Sequence, residues 1–340
     1  MKIVKIKSFF VFNKNKINND YNERGFFSEE GSVFTGLSTL FIFSFILITI
    51  LLLNFTISLN NTNTDSEISN NFNYMIEDYN RNIPILTKEV IGNLSNEVIR
   101  NHVPCYNSAN MIKDRLQNSL DDENGKYLKN NNIIIKSEVL GVYNGEDPYH
   151  INVKTLVTGK KGNMEYNNVV ESVVSIEGEK DPLPFLICKD HPSLVENGSK
   201  INYNDGLSYY LRANNLLNPE TYDNASSSLI IKKCPYDPYE HHGDGLCMKN
   251  CVDNGYFHES ADGSCYLCRL EGKGGCPHYG LETFISPAKV INVTGESISG
   301  SDHVIFNDHY PGEAIQIYYE NGFYEILILD SSHRAKYGMI

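Results

Sequence analysis

Apolar residues run almost unbroken from Val33 to Leu53, 21 positions of Phe, Ile, Leu and Val with a few Ser, Thr and Gly. No charged residue occurs between Gly31 and Thr64. At about 1.5 Å per residue such a helix is roughly 30 Å long, the thickness of a bilayer core. A secretory apolar region is shorter, about 7–15 residues, and lies nearer the start. The pattern therefore predicts a single membrane helix within residues 26–59, behind a polar leader at 1–25. Residues 60–71 are polar but hold no Pro or Gly, so they suit either a linker or a continuing helix. Ile68, Phe72, Ile76, Tyr79 and Ile83 then recur at helical spacing, and Leu86, Val90, Leu94 and Val98 repeat the rhythm after Pro84. Two helical segments with a kink at the proline are predicted. A third is predicted at Ser108–Leu128, which makes residues 60–130 a helical stalk.

The period then changes. Residues 133–143, 149–158 and 165–176 are β-branched, partly alternating and separated by Gly-containing breaks, which predicts an antiparallel meander within 131–180. Residues 181–285 read as a loop region, and the stretch from about 200 onward carries six of the eight cysteines. In 286–340, two apolar-rich arms flank Asn321-Gly322, a strong hairpin signal. The expected fold class is α+β: one N-terminal transmembrane helix, a helical stalk, and an antiparallel β-rich head with a disulfide-braced loop region.

Charge gives this chain a direction. Residues 1–32 hold six basic and four acidic side chains, net +2, so the overall −13 leaves −15 on the remainder. Lys and Arg beside a span stay cytoplasmic, so the N-terminus is expected inside and the C-terminal bulk outside the cell membrane. An acidic ectodomain lacks the Lys and Arg surplus that phosphate contacts need, so no nucleic-acid partner is expected. Sequons at Asn54, Asn60, Asn93, Asn197, Asn224 and Asn292 follow the leader. Asn54 lies close to the membrane, and the other five are the glycosylation candidates. All eight cysteines (Cys105, Cys188, Cys234, Cys247, Cys251, Cys265, Cys268 and Cys276) lie beyond the span, which favours disulfides in an exported domain.

The lip of the span is unusual: Arg24-Gly25 precedes Phe26, and Glu29 and Glu30 stand directly before the apolar run. This arrangement resembles type IV prepilins and archaeal pilin-like proteins with a class III signal. The resemblance covers residues 24 to about 55 and the order of helical stalk and β-rich head. It implies cleavage by a prepilin peptidase between Gly25 and Phe26, which makes Glu30 the fifth residue of the mature helix. It also implies an assembly role for Glu30, pairing with the free amino terminus of a neighbouring subunit, either a copy of this chain or another pilin. The physics is consistent. A carboxylate in an apolar bundle costs about 2.5–3.5 kcal/mol on insertion scales, and an α-amine with a pKa near 7.7–8.0 supplies a cation. Ser32 and Gly36 form a small-xxx-small pair that lets helices approach closely. A plain, uncleaved anchor that binds a ligand or envelope partner is the alternative.

Cys247, Cys251, Cys265 and Cys268 fall as C-x3-C-x13-C-x2-C. Such knuckles can hold a tetrahedral zinc, with His241, His242, His258 and His278 as substitute ligands. The oxidising compartment argues for disulfides instead. The stretch also resembles furin-type cysteine-rich modules, with Gly255-Tyr256 between the cysteine pairs. That resemblance implies Cys247–Cys265 and Cys251–Cys268, and it leaves Cys234 with Cys276 and Cys105 with Cys188. No nucleophile elbow, metalloprotease helix, phosphate loop or dinucleotide fingerprint occurs. His241-His242-Gly243-Asp244 reads as a solvated loop. The sequence thus predicts a non-enzymatic surface protein without a cofactor, contacting membrane lipid and other subunits, and it ranks a zinc-dependent surface hydrolase last.

Overall fold

The computed structural model describes residues 29–187, 195–196, 200–202, 212–213, 226–228, 230–236, 238–244, 246–286, 297–306, 313–318 and 324–339. Gly25, Phe26, Cys188, Asn197, Asn224, Asn292 and the Asn321-Gly322 turn lie outside them. The chain divides into two units, Met1–Glu67 and Ile68–Ile340.

The first unit holds the apolar part of helix α1, which runs from Glu29 to Asn101 as 73 residues. Within it Gly36–Ser58 is long and apolar enough to cross a membrane. Every residue from 36 to 58 is exposed, so among the described residues no protein core covers this stretch. Its hydroxyls are satisfied locally: those of Ser44, Thr49 and Thr56 donate to the carbonyls of Leu40, Phe45 and Leu52 at 2.7–2.8 Å. That is how a polar side chain is accommodated where no water is present.

The expected kink at Pro84 does not divide α1 into two helices; the helix continues through it. Burial on both sides of the proline accounts for this. Ile76, Tyr79, Ile83, Val90, Ile91 and Leu94 form one inward stripe, and each fully buried side chain of this size contributes about 1.5–3 kcal/mol, against about 3 kcal/mol lost at an internal proline. Helix α2 (Ser108–Asn131) starts where the Asn107 side chain accepts from the Asn110 amide at 3.0 Å, and it ends at Asn132 in the left-handed conformation.

Strands β1 (Ile134–Asn144), β2 (His150–Lys161) and β3 (Met164–Ser175) form the predicted antiparallel meander. Along β2, Ile151, Val153, Thr155, Val157 and Gly159 alternate inward, facing the α1 and α2 stripes. A side chain at Gly159 would collide with Ile76, so the glycine permits the close approach of α1.

Beyond the short helix α3 (Leu183–Ile187) a small antiparallel sheet joins β4 (Val195–Glu196), β5 (Lys200–Asn202) and β6 (Ser226–Ser228). The region read as loops is more ordered than predicted. It forms a 3-10 turn at Tyr239–Asp244, helix α4 (Leu246–Asn254), strand β7 (Phe257–Ser260), helix α5 (Tyr266–Leu270) and strand β8 (Gly280–Ile285). These strands join β9 (Ser297–Ser301), β10 (Glu313–Tyr318) and β11 (Tyr324–Leu329) in one sheet of order β10-β11-β9-β8-β7. The predicted C-terminal hairpin is therefore the edge of a larger sheet. That sheet is mixed rather than purely antiparallel, because β9 and β11 run parallel. Helices α6 (Asp302–Phe306) and α7 (Ser331–Lys336) complete the described fold.

Candidate metal centres

Among the described residues no two cysteines are bonded to each other: none of Cys105, Cys234, Cys247, Cys251, Cys265, Cys268 and Cys276 is in a disulfide. The implied pairs Cys247–Cys265, Cys251–Cys268 and Cys234–Cys276 are not formed. The fold separates their members, because the knuckles are split between two ligand sets. One gathers Cys234, His242, Cys251 and His258, all buried; the other gathers Cys265, Cys268, Cys276 and His278 and is partly open. In each, four donor atoms lie within 4.8 Å of one another.

The buried set is assembled from four local structures. Cys234 follows an isolated bridge between Lys233 and Phe257, and its amide donates to the Phe257 carbonyl at 2.9 Å. His242 sits in the 3-10 turn, Cys251 on the inward face of α4, and His258 on β7. The Cys234 and Cys251 sulfurs are 3.3 Å apart. His242 Nε2 lies 3.5 Å from Cys234 Sγ, 3.2 Å from Cys251 Sγ and 3.3 Å from His258 Nε2. His242 Nδ1 donates to the Tyr239 carbonyl at 2.7 Å, which leaves Nε2 as a lone pair aimed at the sulfurs. A hydrogen bond from the Cys251 thiol holds Cys234 below the ordinary thiol pKa, against the opposing effect of burial.

The second set spans the start of α5 and the turn before β8. Cys265 precedes α5 and Cys268 lies within it. His278 Nδ1 is 3.5 Å from Cys265 Sγ and 3.6 Å from Cys268 Sγ. Cys276 accepts the Cys265 amide at 3.3 Å. A hydrogen bond from Cys268 draws the Cys265 thiol down to about 5.

Glu282, His303 and His333 also converge, but protein donors close this group as an ion-pair network. Glu282 Oε2 accepts from both imidazole Nε2 atoms at 2.7 Å, and Oε1 accepts from Lys336 at 2.6 Å and from the Tyr337 hydroxyl. Tyr337 packs edge-on against His242 and His258, so this network abuts the buried set. The backbone at Gly338 comes so close to Glu240 that a Cβ would overlap its carbonyl oxygen, at φ +67°. Gly338→Ala is expected to destabilise the second unit by about 1–3 kcal/mol, measured as a lower thermal midpoint.

The structure thus keeps Cys251 from the knuckle expected to bind zinc as a whole, brings Cys265 and Cys268 together, and leaves Cys247 in neither set. His242 and His258 are buried ligand candidates rather than parts of a solvated loop, while His241 is exposed. Cys105 is buried in the core, where burial raises its thiol to about 11. Asn93 is exposed on α1; Asn60 lies within the helix, as does Glu30. The missed ligands were Cys234 and Cys276. The second had a signal, since Cys265-x2-Cys268 is followed by Cys276-Pro277-His278, a compact four-donor string. No protein-family profile, curated protein or solved structure matches this chain.

Proposed function

We propose that the chain is a pilin-like structural subunit of the cell surface, processed between Gly25 and Phe26 and assembled through its N-terminal helix. The observation that carries the reading is the composition of α1. One unbroken helix contains both the exposed apolar stretch Gly36–Ser58 and, from Phe72 onward, a stripe buried under the β1–β3 sheet. A helix of this kind serves as membrane anchor before assembly and as a packing element among neighbouring copies afterwards. The exposed Leu, Ile and Phe side chains between Leu37 and Ile57 suit either lipid or the same stripe on another subunit. Glu30, near the start of α1, is the assembly contact, paired with a neighbour's new α-amine. On this reading the N-terminus faces the cytoplasm and the second unit faces outward.

The test is the mature N-terminus of the protein isolated from its native envelope, read by mass spectrometry. A start at Phe26, lost in Gly25→Asp, is the expected result. An intact Met1 would overturn processing and leave an uncleaved, membrane-anchored ectodomain.

A further inference from the structure

We propose that the second unit binds two zinc ions, one through Cys234, His242, Cys251 and His258 and one through Cys265, Cys268, Cys276 and His278, and that these ions take the structural place of disulfides. The S···N and N···N spacings are close to the edges of a tetrahedral ion, and the Cys234 and Cys251 sulfurs must part by about 0.5 Å to admit one. With Zn–S near 2.3 Å and Zn–N near 2.0–2.1 Å, the S···S, S···N and N···N edges of the tetrahedron are about 3.8, 3.6 and 3.3 Å. The buried set gives 3.3 Å for S···S, 3.2 and 3.5 Å for S···N, and 3.3 Å for N···N. The open set gives 3.5 and 3.6 Å for S···N.

Disulfides do not explain these groupings. The open set holds three sulfurs, and three thiols cannot be closed in pairs. In the buried set a Cys234–Cys251 bond would consume both sulfurs and leave two buried imidazoles in edge-to-face contact with no shared partner. His258 is wholly buried, and its Nδ1 has no hydrogen-bond partner among the described residues, so the polar hold on this ring comes from the cluster at Nε2. His242 is fixed by the Tyr239 carbonyl in the tautomer that presents a lone pair to the centre. Thiol protons can relieve such close donors only pair by pair, whereas one bound cation engages all four at once.

Sulfur and imidazole donors in a four-coordinate arrangement select zinc over the oxygen-seeking calcium and magnesium. Four protein ligands fill a tetrahedron, which marks both centres as structural. The two ligand sets follow one another along the chain, 234–258 then 265–278, without interleaving. Each centre therefore closes its own segment. The first ties the Cys234 loop and α4 to β7, and the second ties α5 to the turn before β8.

The experiment uses the full chain in detergent, purified without chelators, with metals counted by mass spectrometry. Two equivalents of zinc are expected, falling to one in Cys251→Ser and to one in His278→Ala. Cys247→Ser, outside both sets, keeps two. His278 is exposed, so its variant probes the open centre without disturbing the core. In the unaltered chain, a mercurial that modifies the thiols is expected to release zinc in step with modification, and the partly open centre to yield first. Absence of zinc, with cysteines that alkylate only after reduction, would overturn the proposal in favour of disulfides. So would zinc retained at two equivalents in both ligand variants.

Discussion

Arg269→Met is expected to destabilise the second unit by about 3–5 kcal/mol, the cost of removing one partner from a buried ionic group. For a unit of this size that is a fall in thermal midpoint on the order of 10 °C. Arg269 is fully buried. Its Nε and Nη2 make a forked pair with Asp181 at 2.9 and 2.7 Å, Nη2 also reaches Asp302, and Nη1 donates to the Leu281 carbonyl at 3.0 Å. The carboxylates are occupied in turn: Asp181 accepts the Leu183 amide at 3.1 Å, and Asp302 accepts those of Thr283 at 3.3 Å and His303 at 2.8 Å. One guanidinium thus holds the segment before α3, the strand β8 and the start of α6. Removing it strands two carboxylates in an apolar surround, and methionine fills the volume without meeting their charge. Circular dichroism melts compare this variant with Lys126→Ala, which removes only a solvent-screened pair with Glu123 and is expected to leave the midpoint nearly unchanged. Equal midpoints for the two variants would show that the buried triad has no special weight.

Glu282→Gln is the second large effect, and it carries a pH signature. Burial opposes the charge of Glu282, yet the donors from His303 and His333, with Lys336 nearby, hold its carboxyl well below the ordinary range. His333 moves the other way, up to about 9: burial opposes its charge, but Glu282 and Asp330 outweigh that opposition. The raised imidazole adds stability that is complete below its unfolded value of about 6.5 and is lost as pH rises through about 9. The depressed carboxyl adds stability that is present above about 4.3 and is lost as pH falls through its lower folded value. Together these two groups therefore add most stability between about pH 4.5 and 6.5, and the contribution of His333 gives a downward slope from there to about pH 9. In Glu282→Gln that alkaline slope flattens, and stability in the plateau drops by about 3–5 kcal/mol. Denaturation midpoints measured across this range check both statements. An unchanged alkaline slope in the variant would remove Glu282 as its cause.

Much of this architecture is written locally in the chain. The membrane stretch, the three strands of the meander and the two arms beside Asn321-Gly322 each carry a period or composition that needs no distant partner. Pro84 misled because the cost of an internal proline is local, whereas what outweighs it, Ile83 and its buried neighbours under β2, comes from residues far along the chain. The metal sets failed for a similar reason. Knuckle spacing grouped Cys247 with Cys251, but α4 turns Cys251 inward and leaves Cys247 half-buried outside the set, while Cys234 arrives from a preceding loop. Arg269, Asp181 and Asp302 have no local mark at all. They are 88 and 33 residues apart in sequence and meet only in the folded head.

The packing of Tyr337 on His242 and His258 means that part of the cover of the buried set comes from the last stretch of the chain to be synthesised. The ribosome delivers the eight ligands before it delivers residues 331–338, so both donor sets exist as chain while one face of the buried set is still bare. Nascent thiolates can then meet metal or an oxidant before α7 docks, and whichever arrives first decides the chemistry. Once Tyr337, at the end of α7, is in place, the inner four donors are buried. On the proposed surface location, the timing of export relative to that step sets the compartment in which the head acquires its final bonding.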